Sequence, residues 1–328
     1  MSSLRVREWS VAGAIALLCL ILASLAPGYF RLENLSAILL ANVPALIMAL
    51  GMTLVILTAE IDISVGSMFA VLSVAAGVLA KDGLPAPAVA LVACLAGAAL
   101  GALNGGLVAY WRVPSIVVTL AAMIALRDGL RWATQGAWVE NLPRSFQWFG
   151  LRQSQYTPIA AFVAGSLVIA AAWALDRLTA GRAVYATGSN PEAARLAGLD
   201  TRRIVLAVFA LNGALAGVAA LLNAARFNQI PANTGLGLEM KVIAAVVVGG
   251  TAISGGTGSI LGTLLGVALL GAIGPALTFL GINAYWEKAI QGGIILAAIV
   301  TDTSRARLHL LGKKPGRNHA SDAATTGT

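Results

Sequence analysis

Long apolar runs separated by short polar connections follow one another along most of this 328-residue chain. A helix needs about 20 mainly apolar residues to cross the hydrocarbon core of a bilayer. The pattern therefore predicts an all-α, polytopic membrane helix bundle with about ten transmembrane segments. The predicted segments are Trp9–Ala26, Ile38–Leu57, Ser64–Ala80, Pro87–Tyr110, Val113–Trp132, Pro158–Leu175, Ile204–Leu222, Val242–Ile253, Ile260–Leu280 and Trp286–Val300.

Two of these segments depart from a simple crossing. The eighth, Val242–Ile253, has only twelve residues and ends among five glycines between positions 249 and 258. We expect it to be short, broken or re-entrant, which a membrane protein tolerates only where the backbone faces protein or water. The first segment ends in Ser24-Leu25-Ala26, which resembles a signal-peptide cleavage site, but its length and the membrane segments that follow favour a retained helix.

The composition agrees with a chain that lies almost entirely in a membrane. Hydrophobic residues make up 58% of the chain, charged residues make up 11%, and the mean hydropathy is +0.84. Soluble domains are about 45–50% apolar and about 25% charged, so a soluble enzyme is excluded. We expect one transmembrane domain over residues 1–303 and a polar, disordered cytoplasmic tail over residues 304–328.

The formal net charge is +8, which in a soluble protein would suggest nucleic-acid binding. Here the basic residues lie mostly in connections between apolar runs, where they report orientation in the bilayer. With a cytoplasmic N-terminus, thirteen basic residues fall on the cytoplasmic side and nine on the other. This bias predicts that both termini and the polar 176–203 connection are cytoplasmic, and we expect no nucleic-acid partner.

The residues needed for several chemistries are missing from the predicted spans. No phosphate-binding G-x-x-x-x-G-K-[ST] motif occurs. Cys19 and Cys94 lie far apart in apolar runs, and His309 and His319 both lie beyond the last run. The sequence therefore predicts no catalytic residue, no metal site, no cofactor and no ATP site, and a membrane-embedded enzyme is disfavoured.

The most informative polar segment lies inside the 176–203 connection. Asn190 suits a helix N-cap, Pro191 suits the first helical position, and Gly198 suits the C-terminal stop. The pattern predicts a short helix outside the membrane, about 12 Å long. From the pattern alone, this helix is either a docking element for a partner or an ordinary connection. The docking residues would be Asn190, Pro191, Glu192, Ala193, Ala194, Arg195 and Gly198.

Placing a charged side chain within a membrane costs free energy, so each charge in or next to a predicted span needs an explanation. For Glu60, Asp62 and Ser64 we expect a helix boundary, with Asp62 or Ser64 capping the helix that begins at Val65. The alternative is a proton-relay pair, Glu60 and Asp62, in a proton-coupled secondary transporter. Glu239 and Lys241 border the short eighth segment as interfacial anchors or as a gate.

Three further charges lie near the end of the fifth span. Arg127, Asp128 and Arg131 are explained by local pairing and by snorkelling of the arginines toward the membrane surface.

Neutral polar groups inside the spans are the expected lining of a path for an uncharged polar cargo. The same side chains also bridge helices in membranes, and the sequence leaves both roles open. Glycines at four-residue spacing indicate helices that approach closely within one bundle. The path candidates are Asn42, Thr53, Asn104, Thr119, Asn212 and Asn223.

The connection segment YATGSNPEAARLAG (185–198) resembles the cytoplasmic coupling loop of permease subunits of ribose-type ABC importers. The resemblance extends in one consistent order from about residue 10 to residue 300. It is also carried by EIDISVGS (60–67), NGG (104–106), PSIVVTL (114–120), NG (212–213), GLGLEMKVIAA (235–245) and VGG (248–250). Within that family, QGAWVENLP (135–143) and AYWE (284–287) are most similar to permeases of autoinducer-2 and rhamnose systems.

The resemblance implies a multi-pass subunit of the bacterial inner membrane that imports a sugar or sugar-like molecule. It implies three protein partners: a cytoplasmic ATPase subunit, a second permease subunit and a periplasmic sugar-binding protein. The likeness to autoinducer-2 and rhamnose systems favours a second permease that is a different chain. The coupling helix of the family would correspond to residues 190–198, and ATP would be hydrolysed on the ATPase subunit.

Overall fold

The computed structural model describes residues 2–283, 285–294 and 296. This part of the chain is helical, and its only β pairing is an isolated antiparallel bridge between Val139 and Ile230. Short 3-10 helices cover Pro27–Phe30 and Gln147–Gly150. The α-helices are α1 (Ser2–Leu25), α2 (Leu32–Leu57), α3 (Val65–Lys81), α4 (Ala86–Ala109), α5 (Ser115–Thr134), α6 (Gln153–Arg177), α7 (Thr179–Ser189), α8 (Pro191–Leu196), α9 (Thr201–Ala224), α10 (Leu238–Val248) and α11 (Ile260–Phe279), followed by a helical stretch over 286–294.

The all-α prediction is confirmed, but the count of ten spans is not. Among the described residues, six helices are long and apolar enough to cross a membrane: α1, α2, α4, α6, α9 and α11. Helix α3 is apolar but has 17 residues. Helix α5 falls outside the six because three charged residues lie within one turn of it, at positions 127, 128 and 131.

The two remaining predicted segments fare differently. The eighth forms α10, which has eleven residues and ends at Val248 before Gly249 and Gly250. At 1.5 Å per residue, α10 is about 16 Å long, which is roughly half of the hydrocarbon core. The predicted tenth segment, Trp286–Val300, lies partly outside the described residues, and the predicted tail 304–328 lies wholly outside them.

Helix α9 runs through the centre of the bundle, against α2, α3 and α4. Its contact with α4 is backbone on backbone. A Cβ at Gly97 would collide with the Gly213 carbonyl, and a Cβ at Gly101 would collide with the Phe209 carbonyl. The reverse holds for Gly213, where a Cβ would collide with the Gly97 carbonyl. The predicted glycine stripes therefore form a packing seam inside the bundle.

A second seam of small residues joins α10 to α11. A Cβ at Gly262 would collide with the Gly249 carbonyl, and a Cβ at Gly266 would collide with the Ala245 carbonyl. Ser259 begins α11 by accepting a hydrogen bond from the Gly262 N–H at 3.0 Å. Close backbone approach thus fixes the short α10 against a full-length helix.

The α4–α9 seam predicts a strong difference between two glycine substitutions. Gly101→Ala places a methyl group against the backbone of α9, and overpacking of this kind costs about 1–3 kcal/mol. The matched control is Gly129→Ala on α5, where a Cβ meets nothing within 4 Å and alanine gains helix propensity. Thermal unfolding in detergent should show a lower melting temperature for Gly101→Ala only. Equal melting temperatures for the two variants would contradict the seam.

Candidate functional site

Helix α8 is a short, capped helix at one end of the bundle, hereafter the α8 end. The Asn190 Oδ1 atom accepts hydrogen bonds from the N–H groups of Glu192 at 3.1 Å and Ala193 at 3.0 Å. Pro191 occupies the first helical position, and Gly198 has a φ of +85° just after the helix. The predicted short helix and its cap are confirmed, with the helix itself covering six residues.

The outer face of α8 differs from the surface expected from the sequence. Glu192 and Ala193 are exposed, and the Leu196 side chain is 87% exposed. Ala194 is buried against the bundle, so its side chain does not belong to the outer face of α8. The reason is helical geometry, because position 194 lies on the face opposite 192 and 196. Leu196 was missed, although an apolar residue one turn after Glu192 is a readable signal.

Arg195 is exposed and also bonds the neighbouring helix. Its Nε atom donates to the Thr201 hydroxyl at 3.0 Å, which ties α8 to the first turn of α9. The guanidinium group therefore helps to fix the position of α8.

Helix α7, which the sequence did not predict separately, holds α8 to the rest of the bundle. The Tyr185 hydroxyl donates to the Gly258 carbonyl at 2.9 Å. Gly188 lies against the Leu57 carbonyl at the end of α2, and the Gly256 N–H donates to that carbonyl at 2.9 Å. Burial, and to a smaller extent Asp176, raise the pKa of the Tyr185 hydroxyl, so it stays a hydrogen-bond donor at neutral pH.

The connection between α2 and α3 carries a buried carboxylate, Asp62. Its Oδ1 atom accepts from the Ser64 N–H at 3.0 Å and from the Ser64 hydroxyl at 2.6 Å. Its Oδ2 atom accepts from the Asn212 side chain on α9 at 2.9 Å. The Asn104 side chain on α4 donates to the Ser64 hydroxyl oxygen at 2.9 Å. We call Asp62, Ser64, Asn104 and Asn212 the Asp62 network.

The Asp62 network corrects the capping expectation. Ser64 occupies the N-cap position of α3 but makes no side-chain capping bond. Its hydroxyl is instead engaged by Asp62 and Asn104, and Asp62 binds the N–H of Ser64 itself. At this boundary the polar side chains form hydrogen bonds between helices instead of capping α3.

Glu60 lies in the same connection but is only partly buried. It lines a cavity of about 400 Å³ together with Arg112, Arg195 and Arg202. Burial raises the pKa of the Glu60 carboxyl above its ordinary value. Glu60 and Asp62 thus occupy different environments, one facing a cavity and one enclosed in hydrogen bonds.

The path candidates divide by burial. Thr53, Asn104, Thr119 and Asn212 are at most 1% exposed. The Thr53 hydroxyl lies 2.7 Å from the Thr263 hydroxyl on α11, and the Thr119 hydroxyl donates to the Ser115 and Ile61 carbonyls. Each of these four side chains bonds another residue of the bundle. Only Asn42 and Asn223 are partly exposed.

Arg127 and Glu239 lie inside the bundle. The Arg127 guanidinium donates to the Thr234 carbonyl at 2.9 Å and the Gly235 carbonyl at 3.5 Å, so the snorkelling interpretation is wrong for Arg127. The predicted local pairing of Asp128 with Arg131 is confirmed at 3.5 Å. Arg127 attracts Glu239, whose Oε1 atom accepts from the Gly237 N–H at 3.2 Å. The Glu239 Oε2 atom is buried and has no hydrogen-bond partner among the described residues. Glu239 is therefore not an interfacial anchor, because its side chain packs against Gly66 rather than the bundle surface.

The Lys241 side chain extends from α10 toward α2. Its Nζ atom donates to the Asn42 Oδ1 atom at 3.1 Å, and Asn42 also donates to the Gly271 carbonyl at 3.3 Å. One ammonium group thus joins α10 to α2 and α11. Among the described residues, no group of three or more histidine, cysteine or acidic side chains is arranged to hold a metal ion.

The Asp62 network predicts that Asp62→Asn destabilises the protein. An amide in place of the carboxylate turns one acceptor into a donor that faces the donors of Ser64 or Asn212. Leaving buried hydrogen-bonding groups unsatisfied costs about 1–3 kcal/mol. The control is Asp128→Asn, at an exposed carboxylate that pairs with Arg131 at 3.5 Å. We expect a lower melting temperature in detergent for Asp62→Asn only, and an unchanged value would refute the network's structural role.

Comparison with known proteins shows the family of this chain. Residues 34–299 match the family described as branched-chain amino acid transport system / permease component. The chain is 38% identical over 298 residues to the ribose import permease protein RbsC of Escherichia coli (strain K12), with 89% of this chain and 92% of the relative covered. It is 37% identical over 305 residues to the autoinducer 2 import system permease protein LsrC of Enterobacter sp. (strain 638), with 91% and 87% covered. No solved structure matches the chain.

These relatives confirm the resemblance drawn from the sequence and do not favour the proton-coupled carrier. A multi-pass membrane transport subunit also agrees with the six apolar helices. The chain belongs to the family of transport-system permease components that includes the import permeases of ribose and autoinducer 2.

Proposed function

We propose that this chain is the membrane-spanning subunit of an ABC importer for a monosaccharide or sugar-like molecule of the ribose, autoinducer-2 or rhamnose type. The observation that carries the proposal is the exposed outer face of α8, held rigidly at one end of a bundle whose sequence has no ATP-binding motif. ATP is hydrolysed on a separate cytoplasmic subunit, and this chain carries no catalytic residue.

The proposal fixes the orientation and the partners. The α8 end faces the cytoplasm of a bacterial cell, as do both termini, and the opposite end meets a periplasmic sugar-binding protein. A second permease chain, different in sequence, completes the transmembrane unit. The excess of basic residues on the α8 side and the printed functions of the relatives support this arrangement.

Coupling runs through residues 190–198. We expect Glu192, Ala193 and Leu196 to contact the ATPase, since they share the outer face of α8, with Leu196 filling an apolar pocket. The other residues of the segment hold that face in place. Asn190 caps the helix, Pro191 begins it and Gly198 follows its end, while Ala194 packs on the bundle and Arg195 bonds Thr201. Exposing a leucine to water is unfavourable by about 1.5–3 kcal/mol relative to burying it, which favours a partner.

The exposure of the six polar path candidates indicates which of them can contact a sugar. Asn42 and Asn223 are accessible to a passing sugar in this conformation, whereas Thr53, Asn104, Thr119 and Asn212 bridge helices. Glu239 and Lys241 act as gate residues, because they lie on the short α10 and contact two other helices, Glu239 against Gly66 on α3 and Lys241 on Asn42 of α2. Access alternates when ATP-driven movement of the ATPase favours one arrangement of these segments over the other.

The decisive experiment is Leu196→Asp in the tagged chain, extracted from its native membrane in mild detergent. We expect the ATPase subunit to co-purify with the unmodified chain and at least tenfold less with Leu196→Asp, with sugar uptake reduced in parallel. A charge in an apolar contact removes the burial energy and adds a desolvation cost.

The matched control is Thr179→Asp. It places the same charge on an exposed residue at the first position of α7, where a helix N-terminus accommodates an acid. Normal co-purification of the ATPase with Leu196→Asp would remove the coupling assignment. Recovery of the chain without any ATPase, together with uptake that collapses under an uncoupler, would instead support the proton-coupled carrier that uses Glu60 and Asp62.

A further inference from the structure

Two adjoining cavities at the α8 end are lined by arginines. The first, of about 400 Å³, is lined by Glu60, Arg112, Arg195 and Arg202 among others. The second, of about 340 Å³, is lined by Tyr110, Arg195, Arg202 and Arg203 among others. Since Arg195 and Arg202 line both cavities, the two form one continuous surface. We call it the arginine cleft.

The cleft has unpaired positive charge. Arg203 forms an ion pair with Asp200 at 2.9 Å. Arg195 donates through Nε to the Thr201 hydroxyl, and its terminal nitrogens make no ion pair. Among the residues that the structure describes, no carboxylate lies within ion-pair distance of Arg112, Arg195 or Arg202. Among the described residues, Glu60 is the one acid that lines the first cavity, beside three guanidinium groups, and Asp200, paired with Arg203, is the one acid that lines the second.

The surroundings of the cleft are those of a membrane surface. Tyr110 and Trp111, between α4 and α5, are 46% and 76% exposed. Tyrosine and tryptophan side chains of this kind prefer the headgroup level of a bilayer. Large apolar side chains continue outward from that level on the two adjoining helices, where Leu103, Ile116 and Val117 are exposed. Tyr110 lines the cleft, and the exposed aromatic and apolar side chains of the adjoining helices are of the kind that suits a lipid surface.

The cleft borders α8 but is lined by other residues of that helix, Pro191 and Arg195, than those of its outer face. Glu192 and Leu196 point away from the bundle, whereas Arg195 turns toward Thr201 and the cleft. The aromatic side chains at the edge of the cleft lie between α4 and α5 rather than on α8. Basic pockets between transmembrane helices on the cytoplasmic side commonly bind the headgroups of anionic lipids.

We propose that the arginine cleft binds the phosphate of an anionic phospholipid in the bilayer leaflet at the α8 end. Arg112 and Arg202 hold the phosphate as charge-assisted hydrogen-bond donors, and the acyl chains lie along the apolar wall of α4 and α5. The site does not depend on the sugar or on the ATPase contact, because it requires only that the α8 end lies at a membrane surface.

The test measures lipid retention on the purified full-length chain, with any partners that remain bound. The protein is exchanged into detergent containing equal amounts of phosphatidylglycerol and phosphatidylcholine, and retained lipid is counted by native mass spectrometry. We expect at least fivefold preference for phosphatidylglycerol, and loss of that preference in the double variant Arg112→Gln/Arg202→Gln. The control Arg131→Gln removes an exposed arginine at the other end of α5 and should keep the preference.

Several outcomes would overturn the proposal. Equal retention of the two lipids by the unmodified chain would do so whether or not the double variant folds. Displacement of the bound species by 10 mM inorganic phosphate, without preference among lipids, would indicate a site for soluble anions. Loss of ATPase co-purification in the double variant with unchanged lipid preference would assign these arginines to the protein interface. Equal loss of preference in Arg131→Gln would indicate a general charge effect.

Discussion

The close approach of α4 and α9 is the constraint on which the rest of the structure depends. Glycines on both helices allow one backbone to lie on the other, so that Gly97 and Gly101 face the carbonyls of α9 without any side chain between them. Within a lipid bilayer there is little hydrophobic gain from helix association, so close van der Waals packing is a main source of stability. This approach also brings Asn104 and Asn212 to the α2–α3 connection, which makes the enclosure of Asp62 possible.

Features with a local cause could be predicted from the sequence. Apolar runs gave the positions of most helices, and Asn190 and Gly198 gave the ends of α8, because capping depends on neighbours along the chain. Features that depend on contacts between distant parts of the chain could not be predicted. Arg127 reaches backbone carbonyls more than 100 positions away, and Asp62 bonds a side chain on α9. The count of ten spans stays unconfirmed for a related reason, since α5 carries three charges and the enclosure of Arg127 within the bundle depends on residues far along the chain.

The distribution of polar side chains determines how many are free to bind a transported molecule. Most amide and hydroxyl side chains expected to face a sugar are instead used to join helices, so few remain to recognise cargo. A passage with few fixed hydrogen-bonding groups binds weakly, which suits a subunit that must release what it admits. The two relatives that are 38% and 37% identical to this chain are named as import permeases for different molecules, ribose and autoinducer 2.

Helix α7 connects the α8 end to several other parts of the bundle. It is bonded through Tyr185 to the loop before α11 and packed through Gly188 on the end of α2, while a single extended residue, Leu178, separates it from α6. Helices α7 and α8 are therefore joined to α6 through Leu178 and contact both the end of α2 and the loop that leads into α11. Because these two contacts are made by the same helix, we expect a displacement of α8 to reach the ends of α2 and α11 together.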